Sequence, residues 1–246
     1  MCFLGEMLIR ARKKIEEDLA GSPRWWYFSP ALYSQYLLVS YLINKYIFSG
    51  KVLDLGCGLM HWRKFIESRG LIYHSLDINQ RSKEVTYVAD IQNMWVVPTM
   101  GYDGAICLDV LEHVPNPWRA LREIYRILRP GGVLVVSVPH LSRLHDIPCD
   151  YFRFTEYGLS HLLEETGFEV LEIRAKGGLF CFLGHQVSTL IVSITWPIWG
   201  LRQLTWLLNR FLITKMLYKI DRIMGLERFF PLGYVGVARK PSIQEV

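Results

Sequence analysis

The chain has 246 residues, of which 51% are hydrophobic, with 8 Trp, 13 Tyr and a net charge of +5. Such a length can hold one large α/β domain with a full core, and so apolar a composition excludes a disordered chain. The mild positive charge calls for no nucleic-acid partner but favours an anionic surface. Five scattered cysteines without metal spacing read as reduced thiols of a cytoplasmic protein.

Residues 1–20 form a charged, helix-like stretch with Arg10, Arg12, Lys13 and Lys14 near its middle. It has neither the long apolar centre nor the cleavage site of a signal peptide. Trp25, Trp26 and Tyr27 follow, an aromatic cluster suited to packing or to covering a site. A helix is expected over 31–48, then a strand over 51–55.

That strand runs directly into Asp54-Leu55-Gly56-Cys57-Gly58. Glycine permits a sharp turn and a close backbone approach to a ligand. A helix expected over 60–69 would aim its free N–H groups at the same place. Close approach, backbone dipoles and one carboxylate suit a ligand that carries a carboxylate, a nearby cation and a ribose, as S-adenosylmethionine does. The rival is a dinucleotide loop, G-x-G-x-x-G, but its third glycine position is His61. A pyrophosphate would also be repelled by Asp54.

Further strands are expected over 71–77, 85–88, 102–108, 133–138, 168–174 and 234–238. Helices are expected over 117–128, stopped by Pro130-Gly131-Gly132, and over 155–165. Alternating strands and helices give an α/β, doubly wound sheet, with ligands beyond the C-terminal strand ends. Asp54, Asp77, Asp90 and Asp109 all fall at such ends. Asp77 lies about twenty residues past the glycines, where a carboxylate can accept from ribose hydroxyls. Asp90 is placed to accept from an adenine amino group.

These segments, with Leu108-Asp109-Val110-Leu111-Glu112-His113-Val114, Leu121-Arg122-Glu123 and Leu128-Arg129-Pro130-Gly131-Gly132, resemble the class I S-adenosylmethionine-dependent methyltransferases, in particular the small-molecule and quinone-biosynthesis subgroup. The resemblance covers about residues 50–175. It implies a Rossmann-like sheet of seven strands, with the last strand antiparallel between strands five and six. It further implies that Asp54, Gly56, Cys57 and Gly58 hold the methionine part of the cofactor, and that Asp77 and Ile78 hold the ribose. Asp90 and Ile91 would lie by the adenine, with Leu108 and Asp109 beside the sulfonium. His113 matches a family histidine that is more often structural.

Methyl transfer to a hydroxyl needs a positioned base. Candidates are His140, His145 and Asp146, on the loop after the 133–138 strand. The segment 145–155 resembles family members linked to glycan and lipid-linked sugar pathways. Within it Tyr151 is a candidate to orient the acceptor, and Arg153 to bind an anionic group or pair with Asp150. No metal-ligand spacing occurs, since H-x-x-H and H-E-x-x-H are absent.

The expected organisation is one domain: an N-terminal helical part (1–48), a cofactor-binding core (49–175 with 230–240) and an apolar helical insertion (176–229). From Gly177 to Leu201 there is no Asp, Glu, Lys or Arg. Residues 201–224 are apolar around most of a helical wheel, with dispersed basic residues and no clean polar face. A two-span reading would drag those cations through hydrocarbon, so a peripheral membrane contact through 187–224 is expected, with the chain at the cytoplasmic membrane face. The leading function is S-adenosylmethionine-dependent methyl transfer to an amphipathic small molecule or lipid-linked acceptor. Alternatives are a quinone-ring C-methyltransferase and a non-catalytic membrane-associated partner protein.

Overall fold

A computed structural model describes residues 3–47 and 49–242. It divides into two compact units, Leu38–Ala175 with Gly233–Val246, and Met1–Leu37 with Lys176–Leu232.

The first unit carries the sheet. Its strands are β1 (Lys51–Leu55), β2 (Ile72–Asp77), β3 (Tyr87–Val88), β4 (Tyr102–Leu108), β5 (Leu128–Pro139), β6 (Glu169–Lys176) and β7 (Gly233–Arg239), in the order β3-β2-β1-β4-β5-β7-β6. β1 pairs in parallel with β2 and β4, and β4 with β5. β7 runs antiparallel to β5, from Val133 opposite Arg239 to Pro139 opposite Gly233. The order reverses at β1, so the C-terminal ends of β1 and β4 open a crevice beside one another. The central strands are apolar on both faces because helices cover both. Val52, Leu53 and Leu55 on β1 and Leu134, Val135 and Val136 on β5 have no exposed surface.

Helix α4 (Pro117–Ile127) shows how local sequence sets an element. The Asn116 side chain accepts from the Arg119 N–H, Pro117 opens the first turn, and Ala120, Leu121, Ile124 and Ile127 form the buried stripe. In α5 (Glu156–Glu165), Thr155 caps by accepting from the Gly158 N–H.

Boundaries differ from the sequence expectations for identifiable reasons. The helix expected over 60–69 is only α3 (Arg63–Ser68), because Met60 has a left-handed backbone (φ 56°) and residues 57–62 turn before helix can start. The glycine turn is therefore separated from the helix N-terminus by a non-helical segment. Strand β3 shortens to two residues, with Val85 buried outside it. α4 stops at Ile127, before the glycines, and Leu128 already pairs with Tyr102. The Pro130-Gly131-Gly132 segment is an excursion inside β5, where Gly131 takes φ 78° and its N–H donates to the Lys240 carbonyl.

The second unit is helical. It contains α1 (Phe3–Asp18), a 3-10 turn (Pro23–Tyr27), the start of α2 (Pro30–Tyr46), α6 (Leu179–Thr195), α7 (Trp199–Leu208), a π-helix (Asn209–Lys215) and α8 (Met216–Met224). The N-terminal helix and the apolar insertion thus share one unit, and the Trp196 Nε1–H donates to Asp18 at 2.9 Å. Trp25 and Trp26 are buried in packing, stacked on Phe28 and Tyr36. No helix of the described residues is long and apolar enough to cross a membrane.

Candidate active site

The turn after β1 is built on two left-handed glycines, Gly56 (φ 71°) and Gly58 (φ 52°). A Cβ at Gly56 would strike the Val110 side chain, whereas one at Gly58 would meet nothing within 4 Å. The first glycine is needed for packing and backbone, the second for backbone alone, with open space above it. Gly56 and Cys57 donate their N–H groups to the Leu76 carbonyl (2.8 and 3.1 Å), which ties the turn to the end of β2. Gly58 donates to Asp77 Oδ2 at 3.0 Å, and Asn79 donates to Asp77 Oδ1 at 2.9 Å.

Asp54 is buried at the end of β1, where its Oδ2 accepts from the Tyr73 hydroxyl at 2.7 Å. Burial raises its pKa to about 7, with the nearby Asp77 charge adding to the shift. Burial likewise pushes the Cys57 thiol up to about 12, so it is a protonated packing group rather than a nucleophile. Ile78 is exposed beside Asp77 (63%), while Ile91 is buried. Asp90 is occupied by an Asx-type turn, accepting from the Gln92 N–H at 2.8 Å. Asp109 ends β4 with φ 53°; its N–H donates to the Ser137 carbonyl and its Oδ1 accepts from the Ser137 hydroxyl at 2.8 Å. A non-glycine residue in that region is strained and is held there by this pair of bonds.

Next to the β4 end, residues distant in sequence meet. Glu112, fully buried, points Oε1 to within 3.8 Å of His113 Nε2 and 3.9 Å of His145 Nε2. The two imidazoles meet edge to face with centroids 4.7 Å apart. His113 Nδ1 faces the Cys149 carbonyl at 2.7 Å and His145 Nδ1 faces the Arg143 carbonyl at 3.2 Å. A carbonyl only accepts, so each Nδ1 carries the hydrogen, and in a neutral His145 ring the Nε2 lone pair then lies 3.9 Å from Glu112 Oε1. Burial lowers the His145 pKa, favouring the neutral ring. Asp146, with φ 51°, places Oδ2 3.8 Å from His113 Nε2. The three ligand-type atoms of Glu112, His113 and His145 lie within 4.8 Å of one another, a grouping the dispersed sequence positions do not display.

Of the sequence candidates, His145 and Asp146 therefore join one cluster. His140 hydrogen-bonds elsewhere, with Nδ1 2.9 Å from the Phe154 carbonyl and its ring against Tyr234. Tyr151 remains 48% exposed, with its N–H on the Glu112 carbonyl. Arg153 is engaged by the loop itself. Its guanidinium binds both Asp150 oxygens (2.5 and 2.7 Å) and the Phe152 and Arg143 carbonyls (2.8 and 2.9 Å), which fits loop bracing better than anion binding. Asp150 Oδ2 also accepts from the His145 N–H at 2.9 Å, and Arg153 holds its carboxyl well below the usual range. Sequence reasoning passed over Glu112 and treated His113 as structural. The available signal was an acid four residues past a buried strand, in Leu111-Glu112-His113.

A family profile described as a methyltransferase domain matches residues 38–173, more than half of the chain. The chain belongs to the class I S-adenosylmethionine-dependent methyltransferases. Among curated relatives of this methyltransferase, the ubiquinone biosynthesis O-methyltransferase of Vibrio vulnificus is 30% identical over 140 residues, covering 49% of this chain and 59% of the relative. The chain thus spans less than two thirds of that relative's length. Solved structures with the same fold include a Burkholderia thailandensis N1-methyltransferase with bound S-adenosylhomocysteine (TM-score 0.54, 18% identity, 83% of this chain and 77% of that one). Another is an S-adenosylmethionine-dependent methyltransferase of Archaeoglobus fulgidus (0.54, 18%, 93% and 99%). The residues present fit the cofactor. The methyltransferase has open space over Gly58, a buried Asp54 whose hydrogen-bond partner among the described residues is the neutral Tyr73 hydroxyl, and an acid at the end of β2.

Proposed function

We propose that this methyltransferase methylates a hydroxyl oxygen of an amphipathic or lipid-linked small molecule, at the cytoplasmic face of a membrane. The cofactor, when bound, supplies an electrophilic methyl group. Asp54, Gly56, Cys57 and Gly58 would hold its amino-acid end, Asp77 and Ile78 its ribose, and Asp90 and Ile91 its base. Leu108 and Asp109 would lie along the reacting end.

The observation that carries an oxygen acceptor is the neutral His145 ring, whose Nε2 lone pair faces a buried carboxylate. An attacking hydroxyl must lose its proton. His145 can take it at Nε2 while Nδ1–H stays on the Arg143 carbonyl, and Glu112 then stabilises the cationic ring. His140, with Nδ1 on the Phe154 carbonyl, is the second candidate. The O-methyltransferase named among the relatives supports oxygen as acceptor. Exposed Leu144, Ile147 and Tyr151 rim the same loop and favour a partly apolar molecule.

Kinetics on acceptor panels with labelled cofactor test this reading. His145→Ala should lower kcat by about 10²-fold or more, the usual worth of a positioned base, with cofactor affinity unchanged. A full rate in His145→Ala with a collapsed rate in His140→Ala would move the base to His140. Full rates in both would sink the hydroxyl mechanism.

A further inference from the structure

Within the helical unit, the stretch 183–230 is turned inside out. Among the described residues 183–230, Val192 is the one large apolar side chain that is buried. What this stretch buries instead is polar and mostly small: Ser188, Thr189, Ser193, Thr205, Asn209, Thr214 and Asp221. Ser188, Asn209, Thr214 and Asp221 are bonded to one another or to the backbone. The Ser188 hydroxyl donates to Asn209 Oδ1 at 2.7 Å, and Asn209 Nδ2 donates to the Tyr27 and Phe28 carbonyls at 3.1 and 3.0 Å. The Thr214 hydroxyl donates to the same Tyr27 carbonyl at 3.2 Å. Asn209 and Thr214 are five residues apart, too far round an α-helix to share a face. The π-helix supplies that spacing, so both reach Tyr27. Asp221 accepts from the Gly178, Phe180 and Cys181 N–H groups at 2.7–3.0 Å, satisfying the start of α6.

The outside is the opposite. Leu190, Ile194, Leu204, Leu207, Phe211 and Leu212 are each 45–55% exposed. A water-facing helix hides such residues and shows its polar ones. Helices in hydrocarbon do the reverse, joining through small and polar residues and presenting apolar ones outward. The charges select the occupant of this face. Beyond Lys176 the unit's insertion carries Arg202, Arg210, Lys215, Lys219, Arg222 and Arg228, against only Asp221, which is spent on α6, and Glu227, which pairs with Arg222. A second copy would set cations against cations, whereas anionic headgroups complement them. At 1.5 Å per residue, the 17 residues of α6 reach about 25 Å, short of a hydrocarbon core of about 30 Å.

We propose that α6, α7 and the π-helix are seated in a single leaflet of an anionic bilayer, with their apolar side chains among the acyl chains and the lysines and arginines at the phosphates. This deepens the amphipathic-acceptor reading and gives it a purpose, but its geometry belongs to the helical unit alone. The test uses the full chain and vesicles of phosphatidylcholine with or without phosphatidylglycerol. Binding should require phosphatidylglycerol. Leu204→Ser/Leu207→Ser/Phe211→Ser, at exposed positions, should abolish it. Lys219→Gln/Arg222→Gln/Arg228→Gln should weaken it by about 100-fold. Binding that is absent, or unaffected by either set, overturns the proposal. So does a detergent-free dimer that the serine variant converts to a monomer, since the face would then belong to a second copy. Cofactor titration on the same samples separates the two readings. Vesicle binding without cofactor binding sinks the methyl-transfer reading and leaves this one, and the converse result does the reverse.

Discussion

Asp54 holds its proton more tightly in the folded chain than in the unfolded one, with a pKa of about 7 against an ordinary aspartate value of about 3.9. A raised folded-state pKa contributes stability that is full below the unfolded value and is lost as the pH rises through about 7. Asp54→Asn removes that loss, so it should raise the melting temperature of the cofactor-free protein more at pH 8 than at pH 5. Equal shifts at the two pH values in thermal scans would contradict the burial argument. The glycines make a second contrast. Gly58→Ala meets only the left-handed backbone penalty of about 1–2 kcal/mol. Gly56→Ala has that penalty and a collision with Val110, so urea melts should show it to be clearly the less stable of the two. These residues were legible in the sequence because their roles are local: a strand, a turn, an acid at a strand end. The Glu112, His113 and His145 cluster was not, because the whole of α4 and β5 intervenes and only the folded sheet returns His145 to Glu112.

The loop between β5 and α5 owes its shape to Asp150, which binds the Arg153 guanidinium and the His145 N–H together. Asp150→Asn should release both. A catalytic histidine displaced by about 1 Å costs about 10²-fold, so kcat/KM for the acceptor should fall on that scale while cofactor affinity is retained. Loss of cofactor affinity of the same size would show that the loop serves the cofactor instead. In the helical unit, Asn209→Ala would strand the Phe28 carbonyl and the Ser188 hydroxyl and cost about 1–3 kcal/mol, whereas exposed Leu204→Ala should stay within about 0.5 kcal/mol. Denaturant melts that reverse this order would refute the polar-interior description. The sequence showed that residues 201–224 lacked a polar face. It could not show why, because the π-helix shifts the inward register in a way that no fixed 3.6-residue wheel captures.

At the scale of the whole molecule, the sheet was largely readable. Unbroken apolar runs marked the parallel strands, and the antiparallel placement of β7 between β5 and β6 followed from family resemblance and is what the structure has. Strand alternation cannot reveal that residues 1–37 and 176–232, at opposite ends of the sheet sequence, compose a single unit. That grouping arises from tertiary packing between segments that carry no shared motif. Beneath the methyl-transfer reading lies one claim, that the C-terminal ends of β1 and β2 bind the cofactor through the Gly56–Gly58 turn and Asp77. Isothermal titration of the full chain with S-adenosylhomocysteine tests it most directly. The account predicts saturable binding in the unmodified protein and loss of that heat in Asp77→Ala, with the circular dichroism spectrum preserved. Absence of binding in the unmodified chain, or undiminished binding in a folded Asp77→Ala variant, would contradict it.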